Sequence, residues 1–389
     1  MTTSRSILVL NAGSSSIKYS VFAYGESLTL IRDGQLSDIG SAATPSFSEA
    51  IRKVVEIIDQ TGIPKPIAIG HRVVHSGRTL ISHQLITPGV FREIEQATSL
   101  APLHQPNALE IIRAVREHFP EAENYACFDT IFHQSMPASA SHYPLSLDWR
   151  AKGLHRYGFH GLACESIRQQ FLEKRVPSIA TSDSVPSRLI IAHLGSGSSI
   201  TALQNGQSID TTMGLTPCGG IMMGTRSGDL DPGLIFYLLR ACESSDRIGY
   251  VENMLNHESG LEAVSGLSPD MRKLRTFAAA GNAQAAFAIE GFVRAAKKAI
   301  GTFFALLDGF DALVFSGGIG ENDSHTRAEI CSGMLSLGIK LDYLKNVAPE
   351  LGARLISAPE SKVAVYVIPA EENRMIAWHV VAMLAAAVF

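Results

Sequence analysis

Asn11-Ala12-Gly13-Ser14-Ser15-Ser16-Ile17-Lys18 sets a glycine- and serine-rich turn between an amide side chain and a cation. Successive backbone N–H groups in such a turn form a concave anion site, and serine hydroxyls add donors. With Asn11 as an oxygen ligand and Lys18 as a charge, the set suits phosphate with Mg²⁺. The same residues would also make an ordinary tight hairpin. A second turn of similar composition is His193-Leu194-Gly195-Ser196-Gly197-Ser198-Ser199. Neither has the GxxxxGK[ST] spacing of a P-loop. Gly195-Ser196-Gly197 also lacks the third glycine and the following helix of a dinucleotide fingerprint.

Four further residues stand where their chemistry needs a partner. Arg72 lies in a run, Ile67 to His75, that reads as a core strand. An arginine there needs an anion, whether a ligand or a structural carboxylate. His71 and His75 flank it, but on a strand they stand ~13 Å apart, too far to share a metal. Asp129 ends the buried run Cys127-Phe128-Asp129, where a carboxylate serves a ligand, a metal or an arginine. Arg226 sits in Met223-Gly224-Thr225-Arg226-Ser227-Gly228, whose glycines imply a fixed backbone close to something. His160 lies in Tyr157-Gly158-Phe159-His160-Gly161, either as a packing residue or as a functional one.

The elements that must position these groups can be read from periodicity. Ile7–Leu10 and the alternating Ile17–Phe22 predict two strands joined through the first turn, hence a hairpin. Residues 46–61 and 106–119 read as helices, and Tyr125 to Asp129 as a strand. The stretch 174–187 is polar and turn-rich, an exposed loop. Leu189–Leu194 repeats the strand-turn-strand pattern. Helical patterns fill 233–243 and most of 270–308. Ala312–Phe315 is a strand running into Ser316-Gly317-Gly318-Ile319-Gly320-Glu321-Asn322. Val363–Ile368 is the last strand, and a helix follows from about Glu372. Residues 7–17 (ILVLNAGS, then SSI) echo 189–200 (LIIAHLGSGSSI), so a duplicated unit with a cleft between the copies is expected.

Bulk properties narrow the class. The chain has 389 residues, 46% of them apolar, which favours two domains. Its net charge of −4 with scattered basic residues argues against nucleic acid as a partner. Five cysteines without CxxC spacing read as thiols of a reducing compartment. The first residues show no signal-peptide pattern. The apolar tail His379–Phe389 is too short to span a bilayer. A soluble cytoplasmic enzyme with no membrane partner is expected.

Taken in order, LNAGSSSIKY, GHRVVHSG, LAPLHQP, FDTIFHQSMP, YGFHG, HLGSGSSI, MGTRSGDLDP, SGGIGEN and VIPAEEN resemble the motifs of the acetate kinase family over essentially the whole chain. The resemblance implies an α/β fold of two ribonuclease H-like domains, the duplicated actin-like ATPase fold, with a central active-site cleft. Domain one would be 1–133 plus 374–389, and domain two, the nucleotide-binding one, 134–373. It implies ATP/ADP as co-substrate, Mg²⁺ (or Mn²⁺) as cofactor, acetate and acetyl phosphate as the other substrate pair, and a homodimer. Residue by residue, it implies that Asn11 and Glu372 organise the metal and that Ser14, Ser16 and Lys18 hold phosphates. Arg72, Asp129, His160 and Arg226 would surround the reacting phosphoryl group. Val74, Leu103, Phe159 and Pro217 would form the pocket for the acetate methyl, beside Arg72. His193, Gly195, Ser196 and Gly197 would form the second phosphate loop. Gly318, Ile319, Gly320 and Asn322 would hold adenosine, with Asp270, Met271 and Arg272 nearby.

The chemistry agrees with this. A small carboxylate is already ionised at neutral pH, so no base is needed to make the nucleophile. Bringing two anions together is the difficulty, and positive charge with positioning meets it. Asp129 is then an orienter rather than a base, and direct in-line transfer from ATP is expected. The chain departs from the family at Ser196, where asparagine is usual, and at Cys218, Gly219, Met271 and Ala370-Glu371. These touch nucleotide affinity and selectivity rather than the reaction. Rival readings are a propionate or butyrate kinase and a non-catalytic nucleotide-dependent binding protein of the same superfamily. One methylene in an apolar pocket changes binding by only ~1–3 kcal/mol.

Overall fold

The computed structural model describes residues 5–13, 15–25, 27–177 and 185–386. Ser14 and the middle of the expected 174–187 loop lie outside the described residues. Contacts divide the chain into two compact units. One comprises Met1–Gln134, Gly161–Ser166 and Glu371–Phe389; the other comprises Ser135–His160 and Ile167–Ala370.

The first unit is built on strands β1 (Arg5–Ala12), β2 (Ile17–Tyr24), β3 (Leu28–Leu36), β4 (Pro66–Val73), β5 (Gln84–Leu85) and β6 (Glu123–Phe128). Their order in the sheet is β3-β2-β1-β4-β6-β5. β1 and β2 form the expected hairpin, with Asn11 opposite Lys18 in register. β1 runs parallel to β4, and β4 parallel to β6. This sets the ends of β1, β4 and β6 side by side, with Asn11, Arg72 and Asp129 at that edge.

Helices cover both faces. Ser46 caps the Phe47–Gln60 helix by accepting from the Glu49 N–H, and Ala50, Ile51, Val54 and Ile58 form its buried stripe. Pro106 lies in the first turn of the Gln105–His118 helix, where its missing N–H costs nothing. The Glu372–Ala386 helix buries Met375, Ile376, Ala377 and Val380. Gly70 of β4 is why it can lie so close. A Cβ there would stand 2.5 Å from Ile376 Cγ2 and 2.9 Å from Val380 Cγ2. Removing Ile376 and Val380 from water contributes roughly 2 kcal/mol each. That packing fixes the helix whose first residue is Glu372.

The second unit repeats the plan. Its strands are β7 (Arg188–Leu194), β8 (Ser198–Gln204), β9 (Gln207–Thr211), β10 (Ala312–Ser316), β11 (Arg354–Leu355) and β12 (Ala364–Val367). The order β11-β12-β10-β7-β8-β9 reproduces the first sheet strand for strand. β7 and β8 form the hairpin, and β7, β10 and β12 are parallel. The sequence echo is therefore a structural repeat. The 270–308 pattern resolves into two helices, Met271–Ala279 and Ala283–Leu306. Gly281, at φ 90°, breaks the run, and Asn282 caps the second helix by accepting from the Ala285 N–H. Phe292, Ala296, Ile300 and Phe303 of that helix form the core against β7, β8 and β10. Among the described residues, no helix is long and apolar enough to cross a membrane. None of the five cysteines is in a disulfide.

Candidate active site

In the first unit four expected residues meet in one network. The Arg72 Nε donates to both Asp129 oxygens at 3.1 Å, and its Nη1 donates to Asn11 Oδ1 at 3.2 Å. Asn11 Nδ2 donates to Glu372 Oε2 at 2.7 Å. The guanidinium is 13% exposed and the Asp129 carboxylate 1%. Burial works against the Arg72 charge. Asp129 and Glu372, whose carboxylate is 4.0 Å away, outweigh it and hold the guanidinium above its ordinary value.

The network also fixes the Asn11 amide. A carboxylate needs a donor and a guanidinium an acceptor, so the nitrogen faces Glu372 and the oxygen faces Arg72. The Asn11 oxygen expected at the metal accepts from Arg72, and the Asn11 nitrogen orients Glu372. The cluster's hard oxygen donors suit a cation such as Mg²⁺ that keeps waters and substrate phosphates in its shell.

Around it, Lys18 is exposed opposite Asn11, and opposite residues of an antiparallel pair present their side chains on one face. The Ser16 carbonyl accepts from the Gly13 N–H at 2.8 Å, closing the described part of the first turn. Val74 is buried and Leu103 half-buried. His71 and His75 serve local structure: His71 bonds Asn124 at 2.7 Å, and the His75 Nδ1 accepts from the Gly77 N–H.

In the second unit the Gly195–Gly197 loop, the expected second phosphate loop, is held from two sides. Ser198 Oγ bonds the Gly195 N–H and carbonyl at 3.1 and 3.0 Å. The Gly224 N–H donates to the Ser196 carbonyl at 3.0 Å, tying the loop to the Arg226 segment. That segment has the fixed backbone its glycines imply. Gly228 is at φ 74°, and a Cβ there would meet the Gly220 carbonyl at 2.6 Å. Arg226 Nη1 donates to the Pro217 carbonyl at 2.9 Å. A Cβ on Gly197 would lie 3.5 Å from both Arg226 Nη1 and His160 Nε2, so both side chains face the loop. The His193 ring centroid is 4.6 Å from that of His160. Phe159 and Pro217 are buried beside this set in sequence. Burial pushes the Cys218 thiol up, so it is a poor nucleophile.

A cavity of about 720 Å³ opens beside the loop, lined in part by Ser196, Asp270, Met271, Gly318, Ile319 and Asn322. Gly320 is buried and turned to β10 instead, where a Cβ would lie 3.3 Å from the Phe315 carbonyl carbon. Asp270 caps the Met271–Ala279 helix and pairs with Arg272 on the rim. Arg275 and Asp323 also line the cavity and pair at 3.1 Å. Sequence reading missed both. Asp323-Ser324-His325-Thr326 does carry a helix-start signal, and Asp323 accepts from the Thr326 N–H.

One titratable cluster, also missed, lies in the first unit. His379 Nε2 is 2.8 Å from Glu165, and the His83 ring stands 4.1 Å from that of His379. The three could crowd round a metal ion. However, the His83 Nδ1 lone pair accepts from the Phe128 N–H at 3.0 Å, so its proton is on Nε2 and the ring is a donor there. Burial, with His379 adding to it, pushes His83 down to about 3, which keeps it neutral.

A family model described as the acetokinase family matches residues 6–378. The acetate kinase of Nitrobacter hamburgensis is 39% identical over 402 residues, covering 97% of this chain and 96% of that protein. That of Synechococcus is 41% identical over 400 residues, covering 95% and 97%. Among solved structures, Porphyromonas gingivalis acetate kinase superposes with a TM-score of 0.84 at 34% identity, covering 98% of this chain and 100% of that one. A propionate kinase from Francisella tularensis gives 0.82 at 34%, covering 96% and 98%. The repeated α/β sheets are those of these structures. With nearly its whole length matched in sequence and in fold, the chain belongs to the acetokinase family.

Proposed function

We propose that this protein transfers the γ-phosphoryl group of Mg·ATP reversibly to acetate, giving acetyl phosphate and ADP. The observation that carries the reading is Arg72. It is an arginine held by two carboxylates and an amide at the C-terminal end of strand β4, two residues before the small apolar Val74. In this reading Arg72 offers charge to the transferring phosphoryl group, and Arg226 and His160 offer donors to phosphate oxygens at the Gly195–Gly197 loop. Glu372, oriented by Asn11, and Asp129 would hold Mg²⁺ or its waters, and the ion would neutralise phosphate charge. Ser16 and Lys18 would bind phosphate, together with Ser14. The 720 Å³ cavity would take adenosine. Transfer would be direct and in line, with inversion at phosphorus.

The experiment is an initial-rate profile with Mg·ATP and acetate, propionate or butyrate, trapping the acyl phosphate as hydroxamate. Acetate is expected to give the highest kcat/KM. The similar likeness to a propionate kinase structure, at the same 34% identity, makes that acid the second reading, and a clear preference for it would replace acetate. Silence with every acid, in folded protein that binds Mg·ATP, would leave a nucleotide-dependent binding protein.

The proposal includes a homodimer in the cytoplasm and domains at 1–133 plus 374–389 and 134–373. The Pro232–Ala241 helix has no buried residue and exposes Leu234, Phe236 and Tyr237; Ile248 and Tyr250 of the next helix are exposed as well. Such an apolar surface is ordinarily covered. Sedimentation at the mass of two chains is expected, and a single-chain mass at micromolar concentration would remove the dimer.

A further inference from the structure

We propose that Ser199 is a positioning residue that fixes the tautomer of His160, so that the ring presents an N–H to the phosphate loop. The proposal rests on the reading that His160 serves the phosphoryl group.

Ser199 lies on β8, opposite His193 of β7, and is 1% exposed. Its Oγ stands 2.9 Å from His160 Nδ1. A buried hydroxyl donates its proton to an acceptor, and the imidazole nitrogen is the acceptor within reach. Donation to Nδ1 requires a lone pair there. The neutral ring then carries its proton on Nε2. Nε2 is the atom that faces Gly197, together with Arg226 Nη1. The arrangement therefore presents the His160 N–H at the loop, beside the positive charge of Arg226. The other tautomer would turn a lone pair toward an anion bound there and repel it.

A second observation, independent of that bond, is the backbone of His160. It is held at φ 58°, as the residue before the Gly161–Leu172 helix. Residues with a Cβ seldom adopt this left-handed conformation, and where they do, surrounding structure holds them in it. The chain thus spends strain to set the ring here, and Ser199 then decides which nitrogen carries the proton.

The test uses full-length protein labelled with ¹⁵N in histidine. Long-range ¹H–¹⁵N spectra report ring protonation, and H160N identifies the His160 signals by their loss. The wild type is expected to show the Nε2–H tautomer, S199A a mixture of tautomers, and S199T, which keeps the hydroxyl, the wild-type pattern. In the acyl-phosphate assay S199A is expected to lose roughly tenfold in kcat, with KM for Mg·ATP within about twofold and recovery in S199T. An Nδ1–H tautomer in the wild type would overturn the proposal. So would S199A with wild-type kcat and an unchanged ring spectrum. If wild-type protein forms no acyl phosphate, the functional reading fails, while the ring spectra of wild type and S199A still decide the tautomer.

Discussion

Arg72→Lys is expected to lower kcat by about a thousandfold while leaving the protein folded. The charge survives in this variant, but its geometry does not. Arg72 reaches Asp129 through Nε and Nη2 and Asn11 through Nη1, so one planar group serves two elements at once. A lysine ammonium is a point charge on a flexible stem and cannot make that fork. On the proposed reading the group offered to the phosphoryl is then misplaced, and a single preorganised donor of this kind is worth about 10²–10³ in rate. Arg72→Ala confounds two effects. It strips the guanidinium from a carboxylate that is 1% exposed, at a cost of about 3–5 kcal/mol, so lost activity would be mixed with lost fold. Hydroxamate initial rates with a parallel thermal melt separate the two in the lysine variant. A kcat within about threefold of wild type, in protein that melts normally, would take Arg72 out of the mechanism.

Much of this site could be read from residue types and order. LVLNAGS and IIAHLGS mark the repeat because a buried strand running into a tight hairpin needs apolar β-formers and then glycine and serine. The two sheets do carry those segments at equivalent strands, β1 and β7. Arg72 announced itself because a charge in a core strand needs a partner. What stayed hidden depends on contacts distant in the chain. Which way the Asn11 amide points is set by Glu372, 361 residues later. That Gly70 is needed for close packing is visible only once Ile376 lies on it. The helical pattern of 270–308 concealed a break, because Gly281-Asn282 is a mild interruption by propensity and a firm one once Asn282 caps. Ser199 reads as one more serine of a polar turn; its contact with His160, 39 residues earlier, exists only in the fold.

Arg327 is the largest effect that sequence gave no reason to seek. It lies in the Ser324–Cys331 helix, 2% exposed, beyond any motif. Its Nη1 donates to the carbonyls of Gly320 and Glu321 at 2.9 Å, and Nε and Nη2 donate to Asn346 Oδ1 and carbonyl at 2.8 and 2.6 Å. Asn346 in turn donates to the Ser324 carbonyl at 2.9 Å. One side chain therefore pins the end of the Gly317–Asn322 helix, the segment that brings Gly318, Ile319 and Asn322 to the cavity. Its cationic form is costly: burial, with Arg354 adding to it and Asp323 opposing, pushes the guanidinium down to about 10. Arg327→Met keeps the length and removes every donor, leaving four acceptor contacts unmade. Each buried acceptor so stranded costs about 1–3 kcal/mol, and partial relaxation brings the sum to roughly 3–5 kcal/mol. For a unit of this size that lowers Tm by about 10 °C. In the fraction that remains folded, KM for Mg·ATP is expected to rise about tenfold with kcat changed less, because the cavity proposed for adenosine is loosened and the proposed reacting end is not. Differential scanning calorimetry and ATP-saturation kinetics check both halves. A Tm within about 2 °C of wild type would show that the carbonyls find other donors. A KM for Mg·ATP left unchanged in destabilised protein would confine Arg327 to the fold.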